Sequence, residues 1–341
     1  MGEYTYDLRE VRERATYLRS ALPGATILYA VKANGHPAVV DTLAEICDGL
    51  DVASTGELAL AARARRVFCS GPAKPVELLA ADAVISVESL TELHRLLALG
   101  VRAKVLLRVN RSLPSPAGSH RMTGVTQFGF DPAILPEAVA LARPLDLLGF
   151  HLHAVSQCPL DEYNNFIADS LAWALGRDHG FDVRTVNLGG GFGDFDPALL
   201  RVDAPDGIEV VFEPGRWLVA DAGTYSAEVV DLKNNHGTWF AIIRGGMHQF
   251  RTPVAYGVSW PFTIIHRDEW PYPWPRPSIV DTEVTVAGEL CTPNDVLSRD
   301  RPVDLLRVGD TLVFEKAGAY GWDISPHQYL RHPSPQFVIL S

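Results

Sequence analysis

"ILYAVKANGHPAVVDTLAEICDGLDVAS", residues 27–54, holds one complete structural unit. Its opening is apolar and rich in β-branched and aromatic residues, as a strand buried on both faces requires. Gly35 and Pro37 then break the run, and a proline suits the first position of a helix. Val39 or Val40, Leu43, Cys47 and Leu50 recur at helical spacing. "GLDVAS" is a second apolar run. Strand, helix, strand, with both strands nearly continuous in apolar residues, predicts a parallel pair covered by a helix. Lys32 stands at the end of the first run. A charge there costs free energy unless it is paired, neutralised or used chemically.

The same rhythm extends outward. After "TILYAVK" and "GLDVAS" come "RVFCSG", "AVISVES", "AKVLLRVN", "LLGFHLHA", "RTVNLGG" and "EVVFEPG". "SLTELHRLLALG" between them puts Leu90, Leu93 and Leu97 on one helical face, with Gly100 placed to end the helix. Eight strands, mostly separated by helices, predict an α/β fold: a (β/α)8 TIM barrel over roughly 23–222, inside a first domain of 8–222. The seventh unit is the exception. "DFDPALLRVDAPDG" is too short and too rich in proline for a good helix. From Gly223 the rhythm changes to short strand-like runs ("TYSAEVVDLK", "GTWFAIIRGG", "TEVTVAGELC", "GDTLVFEKAGAY"), predicting an all-β domain over 223–341. The opening "EYTYDL", within 1–7, is a candidate strand of that same domain. The Trp- and Pro-rich stretch 266–278 reads as a surface loop.

Composition narrows the function. The chain has 341 residues, 47% hydrophobic, with a formal net charge of −11. Scattered acidic residues argue against a nucleic-acid or anionic-membrane partner. Cys47, Cys69, Cys158 and Cys291 show no CxxC spacing, so no zinc ribbon or redox pair is expected. No signal peptide is read at the N-terminus and no run is long enough to span a bilayer, so a cytoplasmic enzyme is expected. Cys47, Cys69 and Cys158 read as packing residues.

In such a barrel the chemistry sits at the C-terminal ends of the strands. Those ends carry Lys32, then Asp51 and Ser54, then Arg108. His151 and His153 follow, two apart and so on one strand face. The last two strands end in Gly189–Gly191 and in Glu213, Gly215 and Arg216. Singly, each has a bland reading: a salt bridge, a core histidine, a tight turn. Together they aim both charge signs at one mouth. A glycine triplet lets backbone N–H groups approach a phosphate, and Ser156 could add a hydroxyl. A lysine beside a phosphate site can bond an aldehyde cofactor such as pyridoxal 5'-phosphate. Glu213 could keep that cofactor's ring nitrogen protonated, and His153 could stack on the ring. The rival reading takes "HLH" as a metal-ligand pair; His151 alone reads as a structural residue.

At this point "YAVKAN", "DVASTGEL", "HLHAVS", "LGGGFG", "EPGR", "CTPND" and "AGAY" occur in the order of a known family. The chain resembles the fold-type III pyridoxal-phosphate decarboxylases, the group of the ornithine, arginine and diaminopimelate enzymes. The resemblance implies an alanine-racemase-like barrel with a second all-β domain. It implies that Lys32 bonds the cofactor, His153 stacks on it, and Glu213 pairs with the pyridinium. Ser156, Gly190, Gly191, Gly215, Arg216 and Tyr320 would surround the phosphate, with Asp51 and Arg108 completing the cofactor site. It implies further that Cys291, from a neighbouring subunit of a head-to-tail homodimer, returns the proton after carbon dioxide leaves. Asp295 belongs to the same cross-interface motif. Racemases of this fold carry an arginine in place of Glu213, so "FEPG" favours decarboxylation.

One position departs from the enzymes acting on basic amino acids, which place an acidic residue directly after the cysteine; here it is Thr292. Arg251 could meet a carboxylate instead. "RGGMHQFRTP" and "AGAYGWDISPHQYLRHPSP" resemble the branch active in carboxylate siderophore biosynthesis, where a citryl-diaminopropionate conjugate is the substrate. The alternatives are a diaminopimelate- or ornithine-type decarboxylase, and a non-catalytic regulator. The complete Lys, Glu and Cys set argues against the regulator.

Overall fold

The computed structural model describes residues 2–111 and 120–341. The chain divides into two compact units, Val11–Leu218 and the combination of Met1–Glu10 with Val219–Ser341.

The first unit is a closed barrel of eight parallel strands: Thr26–Ala30, Gly49–Val52, Val67–Cys69, Val84–Val87, Lys104–Arg108, Asp146–His151, Thr185–Asn187 and Glu209–Phe212. Val211 and Phe212 of the last strand pair with Thr26 and Ile27 of the first, closing the ring. Leu28, Phe68, Val84, Leu106 and Val211 fill its interior, as the layered side chains of such barrels do. At the N-terminal end, Glu209 accepts bonds from Thr26 Oγ1 (2.7 Å), Thr185 Oγ1 (3.2 Å) and Arg66 Nη1 (2.5 Å). That end is given over to holding strands together.

Local chemistry explains the helices. Pro37 opens Pro37–Ile46, capped by His36, whose Nδ1 accepts from the Ala38 N–H (3.3 Å). Ser54 caps Thr55–Leu60 and Ser89 caps Leu90–Leu99, each accepting an N–H three residues on at 3.2 Å, which satisfies a donor the helix leaves open. Gly100 ends the latter helix in the left-handed region, φ 66°, as expected of a glycine terminator. Among the described residues, the only helical turn between the seventh and eighth strands is the 3-10 turn Pro197–Leu199. The proline-broken seventh unit thus lacks its α-helix.

Two placements correct the sequence reading. Lys32 does not end the first strand but sits in the 3-10 turn Val31–Ala33, closed by Asn34 N–H donating to Val31 O (3.0 Å). His153 is not on the sixth strand, which stops at His151. It lies on the following loop, so it does not share a strand face with His151.

The second unit carries an eight-stranded sheet with, among the described residues, the short α-helix Thr252–Tyr256 and the 3-10 turn Tyr329–Arg331. Glu3–Asp7 is one of its strands. It runs antiparallel to Gly223–Ser226 of the long strand Gly223–Asn235 and parallel to Gln336–Leu340. Buried Tyr4 and Tyr225 lie 5.0 Å apart at the ring centroids, with Phe250 and Phe314 beside Tyr225. Strands Thr263–Ile265, Val296–Arg307 and Gln336–Leu340 were not expected from the sequence. In Val296–Arg307, Pro302 and the charges at Arg299, Asp300, Arg301 and Asp304 interrupt the apolar alternation that marks a strand. The loop 266–278 exposes Tyr272 and Trp274, which stack on each other. Buried Asp310 ties it down, accepting from His266 Nδ1 (2.9 Å), Arg267 N–H (3.0 Å) and Arg276 Nη2 (3.2 Å).

Candidate active site

The C-terminal ends of the barrel strands, and the turns after them, carry Lys32, Asp51, Arg108, His151 and Glu213. The turn after the eighth strand lies beside the turn after the first. Ala30 N–H donates to Pro214 O (3.3 Å), and a Cβ on Gly215 would stand 2.8 Å from that of Ala33. Glycine at 215 is what lets the two turns approach. Lys32 and Glu213 are therefore carried on adjoining strand ends.

Lys32 keeps 44% of its side chain exposed, and its Nζ stands 3.9 Å from Asp51 Oδ2. Asp51 is buried, accepts from Ser70 Oγ (3.0 Å), and leaves Oδ1 with no hydrogen-bond partner. Burial raises its pKa, although Lys32 pulls the other way. Glu213 is 4% exposed. Asn187 Nδ2 donates to its Oε1 (2.6 Å), and His151 Nε2 lies 3.6 Å from Oε2. Burial, reinforced by the Asp51 charge, pushes the Glu213 carboxyl up to about 8. His151 bonds Ser86 Oγ through Nδ1 (2.6 Å), while its buried Nε2 has no hydrogen-bond partner. Burial, and the cation of Arg108 nearby, hold its pKa well below the ordinary value. A neutral ring accepting from Ser86 carries its proton on Nε2, facing Glu213.

His153 is placed by the glycine turn. Gly190 N–H donates to its Nδ1 (3.1 Å), and burial keeps the ring neutral. A Cβ on Gly189 would collide with that imidazole, and one on Gly191 with Val155 O. Both residues also take positive φ, 68° and 99°, a conformation natural to glycine. The triplet lets the loop bearing His153 close onto the seventh strand end. Ser156 follows, half-buried. Arg108 donates to Glu88 Oε1 (2.9 Å) with both side chains buried, and its guanidinium lies 4.6 Å over the Phe128 ring. Ser54, read as a mouth residue, instead spends its hydroxyl as a helix cap.

The remaining predicted residues belong to the β-rich unit. Cys291 is exposed in the turn that follows the strand Ser278–Ala287. Thr292 Oγ1 accepts from Asn294 N–H (3.3 Å). Arg251 is exposed at the start of the short helix Thr252–Tyr256. Tyr320 is half-buried with φ 55°, its carbonyl accepting from Thr252 Oγ1 (2.7 Å). Asp295, which the resemblance places in the cross-interface motif beside the substrate, turns its carboxylate inward. It is 2% exposed, and its oxygens accept from Met247 N–H (2.6 Å) and Leu290 N–H (3.0 Å). It clamps the cysteine turn to the turn at 246–250.

Burial raises the thiols of Cys47, Cys69 and Cys158 to about 12 each, consistent with inert packing groups. The sequence reading missed one buried ion pair below the mouth. Lys74, 1% exposed, stands 3.2 Å from Glu92 Oε2, and Glu92 also accepts from Glu88 N–H (2.8 Å).

A barrel mouth with one accessible amine and two buried carboxyls of raised pKa is short of positive charge. A protonated pyridine nitrogen would supply one to Glu213, and Lys32 offers the primary amine that an aldehyde bonds, so the residues present fit pyridoxal 5'-phosphate. The comparisons agree. Residues 8–220 match the family model "Pyridoxal-dependent decarboxylase, pyridoxal binding domain". The chain belongs to this family of pyridoxal-phosphate-dependent decarboxylases. It is 36% identical to the 2-[(L-alanin-3-ylcarbamoyl)methyl]-2-hydroxybutanedioate decarboxylase of Staphylococcus aureus, over 99% of this chain and 94% of the relative. It is 30% identical to the diaminopimelate decarboxylase of Aquifex aeolicus, over 98% and 86% respectively. Among solved structures, a diaminopimelate decarboxylase from Helicobacter pylori complexed with L-lysine superposes with a TM-score of 0.85. That match has 25% identity and covers 100% of this chain and 92% of the other. Among the described residues, no helix is long and apolar enough to cross a membrane.

Proposed function

We propose that this enzyme removes the α-carboxylate of an amino acid whose side chain ends in a citryl-like, carboxylate-rich group, as a step of carboxylate siderophore assembly in the cytoplasm. The observations that carry the reading are the identities and exposure of Thr292 and Arg251 in the β-rich unit. The residue after the exposed cysteine is a neutral hydroxyl with no charge to hold a distal ammonium, and an exposed guanidinium stands on a nearby segment of the same unit. Arginine pairs with carboxylates in a fixed two-pronged geometry. The Staphylococcus aureus relative, whose named substrate is an alanine joined through a carbamoyl link to a hydroxybutanedioate, supports the same class.

In this reading Lys32 would hold the cofactor by its aldehyde carbon. Glu213 would pass its proton to the ring nitrogen and, as a carboxylate, keep that nitrogen protonated, with Asn187 Nδ2 fixing one carboxylate oxygen. His153, held by the Gly190 N–H, would stack on the ring. Ser156, Gly190, Gly191, Gly215, Arg216 and Tyr320 would surround the phosphate, with Asp51 and Arg108 completing the cofactor site. When bound, pyridoxal phosphate supplies the sink for the electron pair left as carbon dioxide departs. The Cys291 thiol then donates its proton to the substrate α-carbon. Arg251 and Thr292 receive the citryl end, with Asp295 fixing the turn that carries Thr292. The unit of activity is a head-to-tail homodimer in which Cys291 serves the neighbouring barrel.

The test is carbon dioxide release from a citryl-diaminopropionate conjugate, diaminopimelate, lysine and ornithine under matched conditions. The conjugate should give the highest kcat/KM. A preference for diaminopimelate or ornithine would replace this reading with the ordinary amino-acid decarboxylase.

A further inference from the structure

Within the β-rich unit, three side chains come together that nothing in the proposed decarboxylase chemistry uses. His248, Glu289 and His332 each offer one ligand atom, and these atoms all lie within 4.8 Å of one another. Glu289 Oε1 is 4.0 Å from His248 Nε2 and 3.7 Å from His332 Nδ1. His248 is 1% exposed, and neither of its ring nitrogens has a hydrogen-bond partner. A buried imidazole with two orphaned nitrogens is costly unless something else occupies it.

We propose that His248, Glu289 and His332 bind one divalent transition ion of the zinc class. Two imidazoles and a carboxylate suit zinc, which takes three protein ligands and a water in open tetrahedral sites. Bonds near 2.0–2.2 Å place neighbouring ligand atoms roughly 3.4 Å apart, so the Glu289 contacts at 4.0 and 3.7 Å are close to that spacing and a side-chain adjustment must bring the widest separation in from 4.8 Å. The half-exposed side of His332, 25% accessible, leaves an entry path and room for the water.

The scaffold is built to hold these groups in place. His248 sits in the turn where Phe250 N–H donates to Gly246 O (2.8 Å). Glu289 N–H donates to Gly245 O (2.9 Å). Arg244 Nη1 takes the second carboxylate oxygen, Oε2 (2.8 Å), turning Oε1 toward the two rings. This is the outer-shell support that ligand carboxylates usually have. Gln249 Nε2 donates to Pro333 O (2.9 Å), holding the segment of His332 alongside. The bound ion would join three chain segments, one of which carries Cys291 two residues beyond Glu289.

The test uses the holoenzyme, dialysed against a chelator and titrated with zinc, with metal content measured after gel filtration and thermal unfolding followed in parallel. One ion per chain and a higher Tm are expected for the wild type. His332→Ala and Glu289→Gln, both at partly exposed positions, should lose stoichiometric uptake and the Tm rise while keeping the wild-type circular dichroism. Cobalt substitution separates this site from the exposed thiol. Nitrogen and oxygen ligation gives tetrahedral d–d bands without the near-ultraviolet thiolate charge-transfer band. No uptake by the wild type, uptake that persists in both variants, or a cobalt spectrum dominated by thiolate ligation would each overturn the proposal.

Discussion

Glu213→Gln tests the electrostatics of the barrel mouth most directly. The substitution keeps the shape of the side chain and an oxygen for Asn187 while removing the titration. Burial and the Asp51 charge raise the Glu213 carboxyl from 4.5 to about 8. At 1.36 kcal/mol per pKa unit this span corresponds to roughly 5 kcal/mol in favour of the neutral acid. Asp51 shares the repulsion, so the figure is a ceiling. The sign follows from which state holds the proton. Between pH 4.5 and about 8 the folded, cofactor-stripped protein keeps a proton that the unfolded chain has released. Its contribution to stability is therefore complete below pH 4.5 and is lost as pH rises through about 8. Cofactor-stripped wild type and Glu213→Gln should be compared by thermal unfolding from about pH 5 to about pH 9. The variant should gain on the wild type steadily as pH rises. In the reconstituted enzyme, which needs a carboxylate at that place, the same variant should lose roughly 100-fold or more in turnover. Parallel unfolding curves across the whole range would refute the account of the mouth as a place short of positive charge.

Other expectations follow from single contacts. Lys32→Ala should abolish both the visible absorbance of the bound cofactor and all turnover, read by spectrum and carbon dioxide release. Cys291→Ala should keep the cofactor spectrum yet lose clean amine formation, which product analysis by mass spectrometry would show; an unchanged product would remove the cysteine from its role. Thr292→Asp should move kcat/KM toward diamino acids and away from citryl conjugates, and unchanged preference would dismiss the argument about that position. Asp310→Asn weakens the hub of loop 266–278. Asp310 is buried but its partners His266 and Arg307 keep access to water, so losing its charge-assisted hydrogen bonds should cost about 1–3 kcal/mol, and Tm should fall accordingly. Although burial alone would raise the Asp310 pKa, hydrogen bonds from Arg267, His266 and Arg307 hold it below 3.8. The wild-type advantage should hold above that pH and fade as pH drops through the lower folded value.

Much of the barrel was readable because its physics is repetitive. Each parallel strand is covered on both sides, so each writes an apolar run, and the strand ends then name their own polar groups, Lys32, Asp51 and Glu213 among them. Legibility ended where a side chain's use depends on what lies opposite. Ser54 and Asp295 looked like site residues, but one caps a helix and the other clamps two turns, facts fixed by backbone N–H groups distant from any motif. His153 left its strand because the glycine turn draws it toward Gly190. The strand Val296–Arg307 escaped notice because it lies in a sheet whose pattern is broken by proline and charge. His248 and His332 stand 84 residues apart by number, and only the sheet that folds between them makes them neighbours.

The strand at residues 3–7 has partners at 223–226 and 336–340, with nothing nearer in sequence to pair with. During translation it leaves the ribosome well before either partner and must wait, edges bare, while more than 200 residues of intervening chain are made. Binding of chaperones to that early segment is the natural cost of a sheet assembled from segments so far apart in the chain.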